Sequence, residues 1–123
     1  MKLRWCVLGP LLVACVAGVM SVTPGARGAE EGFTALFNGK DLSGWKGDPR
    51  LWKVADGTIV GSTDGIKIEK NTFLFYETKQ FTDFVLKAKV KLRNHNSGIQ
   101  FRSEMLDGFV AAGYQADVAD KTY

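Results

Sequence analysis

Four polar side chains near the C-terminal end have the chemistry to grip a sugar or polarise a carbonyl. They are Gln100 and Arg102 in "HNSGIQFRSE", and Gln115 and Asp117 in "GYQADV". In the first stretch they alternate with Ile99 and Phe101, in the second with Tyr114, Ala116 and Val118. Strict alternation describes a strand with two unlike faces. A planar amide and a forked guanidinium each place two hydrogen bonds in fixed geometry, which suits adjacent sugar hydroxyls or a carbonyl oxygen. If the two strands lie together, the four side chains form one polar platform. The plainer alternative is an Arg102–Asp117 cross-strand ion pair that only stabilises a sheet.

Around this platform stand weaker candidates. His95 is the single histidine; it is either a general base beside the platform strand or a surface turn residue. Asn96 follows it directly. Trp45, in the loop "LSGWKGD", could stack on the apolar face of a pyranose ring. A loop tryptophan more commonly closes the edge of a core, so Trp45 and Trp52 are read as structural first. Both cysteines, Cys6 and Cys15, lie at the N-terminus. A zinc site of the His/Cys kind is therefore not expected, and no Asp-x-Asp-x-Asp loop suggests calcium. The sequence has no Gly-x-Ser-x-Gly elbow and no glycine-rich phosphate loop. No metal or cofactor is expected.

The elements that must position these residues are strands. After residue 29, short apolar runs are separated by turn signals about every ten residues, the pattern of an all-β sandwich or barrel. "FTALF" reads as a strand ended by Asn38-Gly39. "LWKV" and "TIVGS" flank Asp56-Gly57, a hairpin signal because both residues tolerate positive φ. "GIKIE" and "TFLFYE" read as two more strands. "DFVLKAKVKLR" sets Phe84, Leu86, Ala88, Val90 and Leu92 on one face against Lys87, Lys89, Lys91 and Arg93 on the other. "IQFRSE" then runs one way, "MLDG" turns, and "FVAAGYQADV" returns.

The N-terminus follows other rules. Lys2 and Arg4 precede a fifteen-residue apolar run from Cys6 to Met20, and small residues follow at Ala26 and Gly28. A charged start, a short apolar centre and a small-residue end describe a secretory signal peptide over residues 1–28, with the domain over 29–123. Fifteen helical residues rise only about 22 Å, short of a bilayer core of roughly 30 Å. The alternative is a lipoprotein signal at "LVAC", with Cys15 acylated, although "VAGVM" is a poor polar tether. Removing Lys2, Arg4 and Arg27 from the 16 basic residues leaves 13, equal to the acidic count. A neutral mature chain makes no electrostatic case for nucleic acid or an anionic membrane. The expected location is periplasmic or extracellular.

Taken together, "GFTALFNGKDLSGWKG", "DGTIVGS", "FTDFVLKAKVKLR", "NSGIQFRSE" and "GYQADV" resemble the 3-keto-disaccharide hydrolase domain family, in order from Gly32 to about Asp120. The resemblance implies a concanavalin-like jelly-roll β-sandwich, incomplete in this chain and truncated after Tyr123, in an exported protein. It implies cleavage of 3-keto-glycosides, by hydrolysis or by elimination followed by hydration. The family's conserved blocks fall on Asn96, Gln100, Arg102, Gln115 and Asp117. Family members commonly carry Glu at the position of Gln115, which weighs against a base role there. The spacing Gln115-x-Asp117-x-x-Asp120 is similar to the Glu-x-Asp-x-x-Glu of laminarinase-type enzymes, but a neutral amide cannot serve as their nucleophile. A 3-keto sugar needs less, because its ketone acidifies the C2 proton. The expectation is that Arg102, helped by Gln100, holds the keto oxygen while Asp117, or else His95, takes the proton. The competing expectation is a non-catalytic carbohydrate-binding module using the same face.

Overall fold

The computed structural model describes residues 2–8, 31–93 and 95–119. Its elements are antiparallel strands, with no α-helix among the described residues. They are β1 (Lys2–Leu8), β2 (Phe33–Ala35), β3 (Trp45–Lys46), β4 (Trp52–Ala55), β5 (Thr58–Gly61), β6 (Phe75–Tyr76), β7 (Leu86–Lys91), β8 (Asn96–Leu106) and β9 (Val110–Ala119). A 3₁₀ turn, Asp107–Phe109, joins β8 to β9. The expected all-β class holds, and the small antiparallel sheets fit an incomplete sandwich.

The β4–β5 hairpin forms where its turn chemistry places it. Asp56 and Gly57 have φ of 50° and 64°, the double positive φ that a two-residue type I′ turn requires. Ile59 on β5 is fully buried and Leu51 is 6% exposed; these are the buried hydrophobic residues among those described. Trp52 lies across its cross-strand partner Gly61. A Cβ at Gly61 would come within 2.6 Å of the indole, so only glycine lets the ring lie flat there. β7 keeps the expected alternation, with Leu86, Ala88 and Val90 half-buried and Lys87, Lys89 and Lys91 exposed.

These strands assemble around β1. It pairs with β7 along one edge, through Lys2↔Lys91 to Val7↔Leu86. Along the other edge it pairs with β5 at Lys2 and Leu3 and with β2 at Cys6 to Leu8. Residues of the expected leader thus supply the central ladder of the five-stranded sheet. The expected cleavage point after Gly28, Cys15 and Asp120 lie outside the described residues. Two smaller sheets, β3–β6 and β8–β9, complete the fold.

Several expected strands are shorter or absent. "FTALF" keeps three residues, "TFLFYE" only two, and "GIKIE" forms no strand. The amide of Ile66 instead closes a local turn on the Thr63 carbonyl (3.0 Å), and that of Phe73 bonds the Phe109 carbonyl (2.8 Å). Apolar alternation supplies a face, but a strand also needs a ladder beside it.

Candidate functional site

The β8–β9 hairpin brings Gln100 and Gln115 directly opposite one another, with Gly98 opposite Asp117. Their side chains form one hydrogen-bonded run. Gln100 Nε2 donates to Gln115 Oε1 at 2.7 Å and Gln115 Nε2 to Asp117 Oδ1 at 2.6 Å, while the single proton of Ser103 Oγ is shared between Gln100 Oε1 at 3.0 Å and the Phe101 carbonyl at 2.9 Å. The run fits because Gly98 has no side chain: a Cβ there would stand 2.4 Å from Gln115 Cδ. Each amide nitrogen carries two protons and spends one within the run. One N–H on Gln100, one on Gln115 and the second carboxylate oxygen of Asp117 therefore remain for a ligand.

Arg102 is not part of the run. Between Phe101↔Tyr114 and Glu104↔Ala112, Arg102 and Ser103 together oppose Gly113 alone, which is a β-bulge. Arg102 takes φ of 48°, and its Nη2 donates to the Thr82 carbonyl at 3.2 Å. The bulge shifts the alternation by one, so Ser103 replaces Arg102 beside Gln100. No Arg102–Asp117 ion pair forms among the described residues: Asp117 lies four strand positions away, opposite Gly98. The expected four-membered platform is thus Ser103, Gln100, Gln115 and Asp117, with Arg102 aside. Gly113 carried a readable signal, since a glycine inside a strand pattern marks a bulge or a close backbone approach. A Cβ on Gly113 would fall 2.7 Å from the Arg102 carbonyl oxygen.

Burial does not separate the two faces: Gln100 and Ser103 are half-buried and Gln115 and Asp117 exposed, while Ile99 and Val118 on the other face are half-buried. Phe101 is 37% and Tyr114 66% exposed, their rings stacked with centroids 5.9 Å apart. The hairpin is a separate two-stranded sheet.

Two clefts adjoin the hairpin. The first, of about 890 Å³, is bounded by aromatic residues including Trp45, Tyr76 and Phe81, and by Gln100, Arg102 and Ser103. The second, of about 510 Å³, is bounded by Trp52, Thr72, His95, Asn96, Gly98 and Gln115, among others. Trp45 is held as a structural residue: its Nε1 donates to the Leu36 carbonyl at 3.0 Å and its ring meets Tyr76 edge-on at 5.1 Å. His95 is an exposed turn residue with φ of 60°, and Asn96 is exposed opposite Ala119. Neither contributes to the amide–carboxylate run. No three His, Cys, Asp or Glu side chains gather as metal ligands among the described residues.

Three carboxylates in the loops have ionisation set by their hydrogen bonds. In the loop before β3, Asp41 Oδ1 accepts the Ser43 amide (2.9 Å) and Asn38 Nδ2 (2.8 Å). Hydrogen bonds from Ser43 and Asn38, with Lys40 nearby, hold its carboxyl down to about 2. Asp48 is lowered chiefly by its forked contact with Arg50, and Asp64 by Arg93. Hydrogen bonds to the charged form explain all three shifts.

The fold is thus an antiparallel β-domain with an amide–carboxylate run on one hairpin, and the family comparison gives it a carbohydrate-related setting. Residues 32–123 match the family model described as the 3-keto-alpha-glucoside-1,2-lyase-like domain, and the chain belongs to that family. No curated protein and no solved structure matches the chain.

Proposed function

We propose that the protein cleaves 3-keto-glycosides on the Gln100–Gln115–Asp117 face by elimination across C1 and C2. The observation that carries this reading is the run of hydrogen bonds ending on the Asp117 carboxylate, in a chain whose family is described by that lyase chemistry. Asp117 takes the C2 proton through its second oxygen, and Gln115 holds the carboxylate in place. As the C2 electrons move toward the ketone, charge develops on the keto oxygen. The spare N–H groups of Gln100 and Gln115 stabilise that charge as a preorganised donor pair. The enolate then re-forms the ketone and expels the C1 oxygen, which takes a proton from solvent. Addition of water across the resulting double bond gives the products of net hydrolysis.

This reading gives the keto oxygen to the two amides and not to Arg102, which stands outside their hydrogen-bonded run. In this reading Arg102 binds a ring hydroxyl at the edge of the first cleft, with its guanidinium steadied by the Thr82 carbonyl. Export is part of the proposal, with residues 1–28 as a leader whose removal takes β1, and with it the pairing of β7 and β2, out of the central sheet. The charged start and short apolar run support it, and the mass of the mature chain tests it.

The deciding experiment is turnover of a 3-keto-disaccharide by wild type and Asp117→Asn. Loss of a general base lowers kcat by about 10²–10⁴-fold, with circular dichroism confirming an unchanged fold. Wild-type binding without turnover would favour the carbohydrate-binding module instead. Full activity in Asp117→Asn would remove Asp117 from the chemistry.

A further inference from the structure

The five-stranded sheet carries an uneven charge that the balance of the whole chain conceals. Strands β1, β2, β4, β5 and β7 contain six charged residues, Lys2, Arg4, Lys53, Lys87, Lys89 and Lys91, and all six are basic. Register gathers them on one face. Lys53 stands opposite Val60, Val60 opposite Lys2, and Lys2 opposite Lys91, a row across four strands. Arg4 lies opposite Lys89, and Cys6 opposite Lys87. The neighbouring row, Val54, Ile59, Leu3 and Val90, is apolar and belongs to the other face. Lys53, Lys89 and Lys91 are exposed, with no ion-pair partner among the described residues. Two cross-strand pairs, Lys2↔Lys91 and Arg4↔Lys89, set cation against cation. Like charges directly opposite destabilise a sheet, and an anion brought to this face would relieve the repulsion.

At one end the cationic face grades into apolar surface. Lys87 Nζ lies 4.2 Å from the centroid of the Phe33 ring, and Val85, just before β7, is 53% exposed. There the sequence runs from β1 into residues 9–20, which carry no charge. We propose that this face docks on an anionic lipid surface, with the lysines over the headgroups and the Phe33–Val85 end toward the acyl chains. The row of cations is four strands, or about 14 Å, wide, and lysines are point charges without the fork that selects a single phosphate. A diffuse cationic array beside a short apolar contact suits a lipid surface, where the two attractions act together. A soluble polyanion would use the lysines but not the apolar end. The docking is independent of the cleavage reading above. Residues 1–28 carry two of the six cations, so it belongs to the chain that still holds them.

The test is co-sedimentation of the full chain with vesicles of phosphatidylcholine alone, or of equal parts phosphatidylcholine and phosphatidylglycerol. Wild type should bind the anionic vesicles more tightly, and the difference should shrink as salt is raised. Lys89→Gln/Lys91→Gln is expected to weaken partitioning into the anionic vesicles about 10- to 30-fold, at about 5-fold for each lysine near such a surface. Lys67→Gln/Lys70→Gln removes the same charge outside the five strands and should leave partitioning nearly unchanged. The denaturant midpoint of Lys89→Gln/Lys91→Gln should hold or rise, because its like-charge pairs are relieved. If that variant fails to fold, Lys53→Gln at the other end of the row gives the same reading, at about 5-fold. Equal binding to both kinds of vesicle, or equal losses in the two double variants, would overturn the proposal. Binding of dextran sulfate without binding of anionic vesicles would overturn it too, and would make the partner a soluble polyanion.

Discussion

At the scale of single residues, hydrogen bonds set both the candidate site and its surroundings. The site is a run of amides whose donors and acceptors are directed by register, while the Asn38–Ser43 loop is a run directed by local geometry. Asn38 Oδ1 accepts the amides of Lys40 and Asp41, and Asp41 Oδ1 accepts that of Ser43. Because the folded pKa of Asp41 lies below its ordinary value, its contribution to stability is fully present above about pH 4. It is lost as the pH falls through about 2. Hydrogen exchange at the Ser43 amide, corrected for its intrinsic pH dependence, should therefore lose protection between those limits. Asp41→Asn should flatten that acid dependence. Protection that stays constant down to pH 2 would mean that this carboxylate is not what holds the loop.

At the scale of elements, the β8–β9 bulge decides which side chains meet. A regular hairpin would put Arg102 beside Gln100, whereas the bulge puts Ser103 there and sends Arg102 to the Thr82 carbonyl. Gly113 permits this, because a Cβ would press on Ser103 Cα at 2.6 Å as well as on the Arg102 carbonyl. Gly113→Ala is expected to cost about 1–3 kcal/mol in thermal or chemical unfolding, the range for inserting an atom into filled space. It should also weaken sugar binding by displacing Ser103. Unchanged stability and binding would show that the bulge does not depend on this glycine. Arg102→Ala should raise KM while leaving kcat within a few-fold, because its guanidinium stands at the cleft edge and not beside Asp117.

At the scale of the whole molecule, few apolar side chains are fully buried among the described residues. Ile59 is completely enclosed, and Ile59→Ala is expected to destabilise by about 2–5 kcal/mol. That is a large share of the roughly 5–15 kcal/mol typical of a whole domain, and denaturant titration reads it directly. The central ladder raises a second expectation. β1 is the only described strand paired to β7 or β2, so deletion of residues 1–28 removes their partner. Hydrogen exchange at Leu86–Lys91 should rise sharply in the shortened chain. Exchange that stays slow would mean that another segment has taken the place of β1.

How much of this was legible in the sequence depended on the range of the interaction. The Asp56-Gly57 turn, the lysine face of β7 and the Gln100, Gln115 and Asp117 faces follow from local sterics and a two-residue period. The family likewise shows in ordered blocks of sequence. What tertiary structure alone decided was pairing. It set Gln100 against Gln115, put a bulge opposite Gly113, held Trp45 on the Leu36 carbonyl and gave Lys2–Leu8 the central ladder. Backbone preferences act over a few residues, whereas a ladder joins segments far apart in the chain, and a shift of one residue exchanges the faces it presents. For that reason the amides and the carboxylate are legible in the sequence, while only the fold decides that Ser103, and not Arg102, lies within hydrogen-bond distance of Gln100.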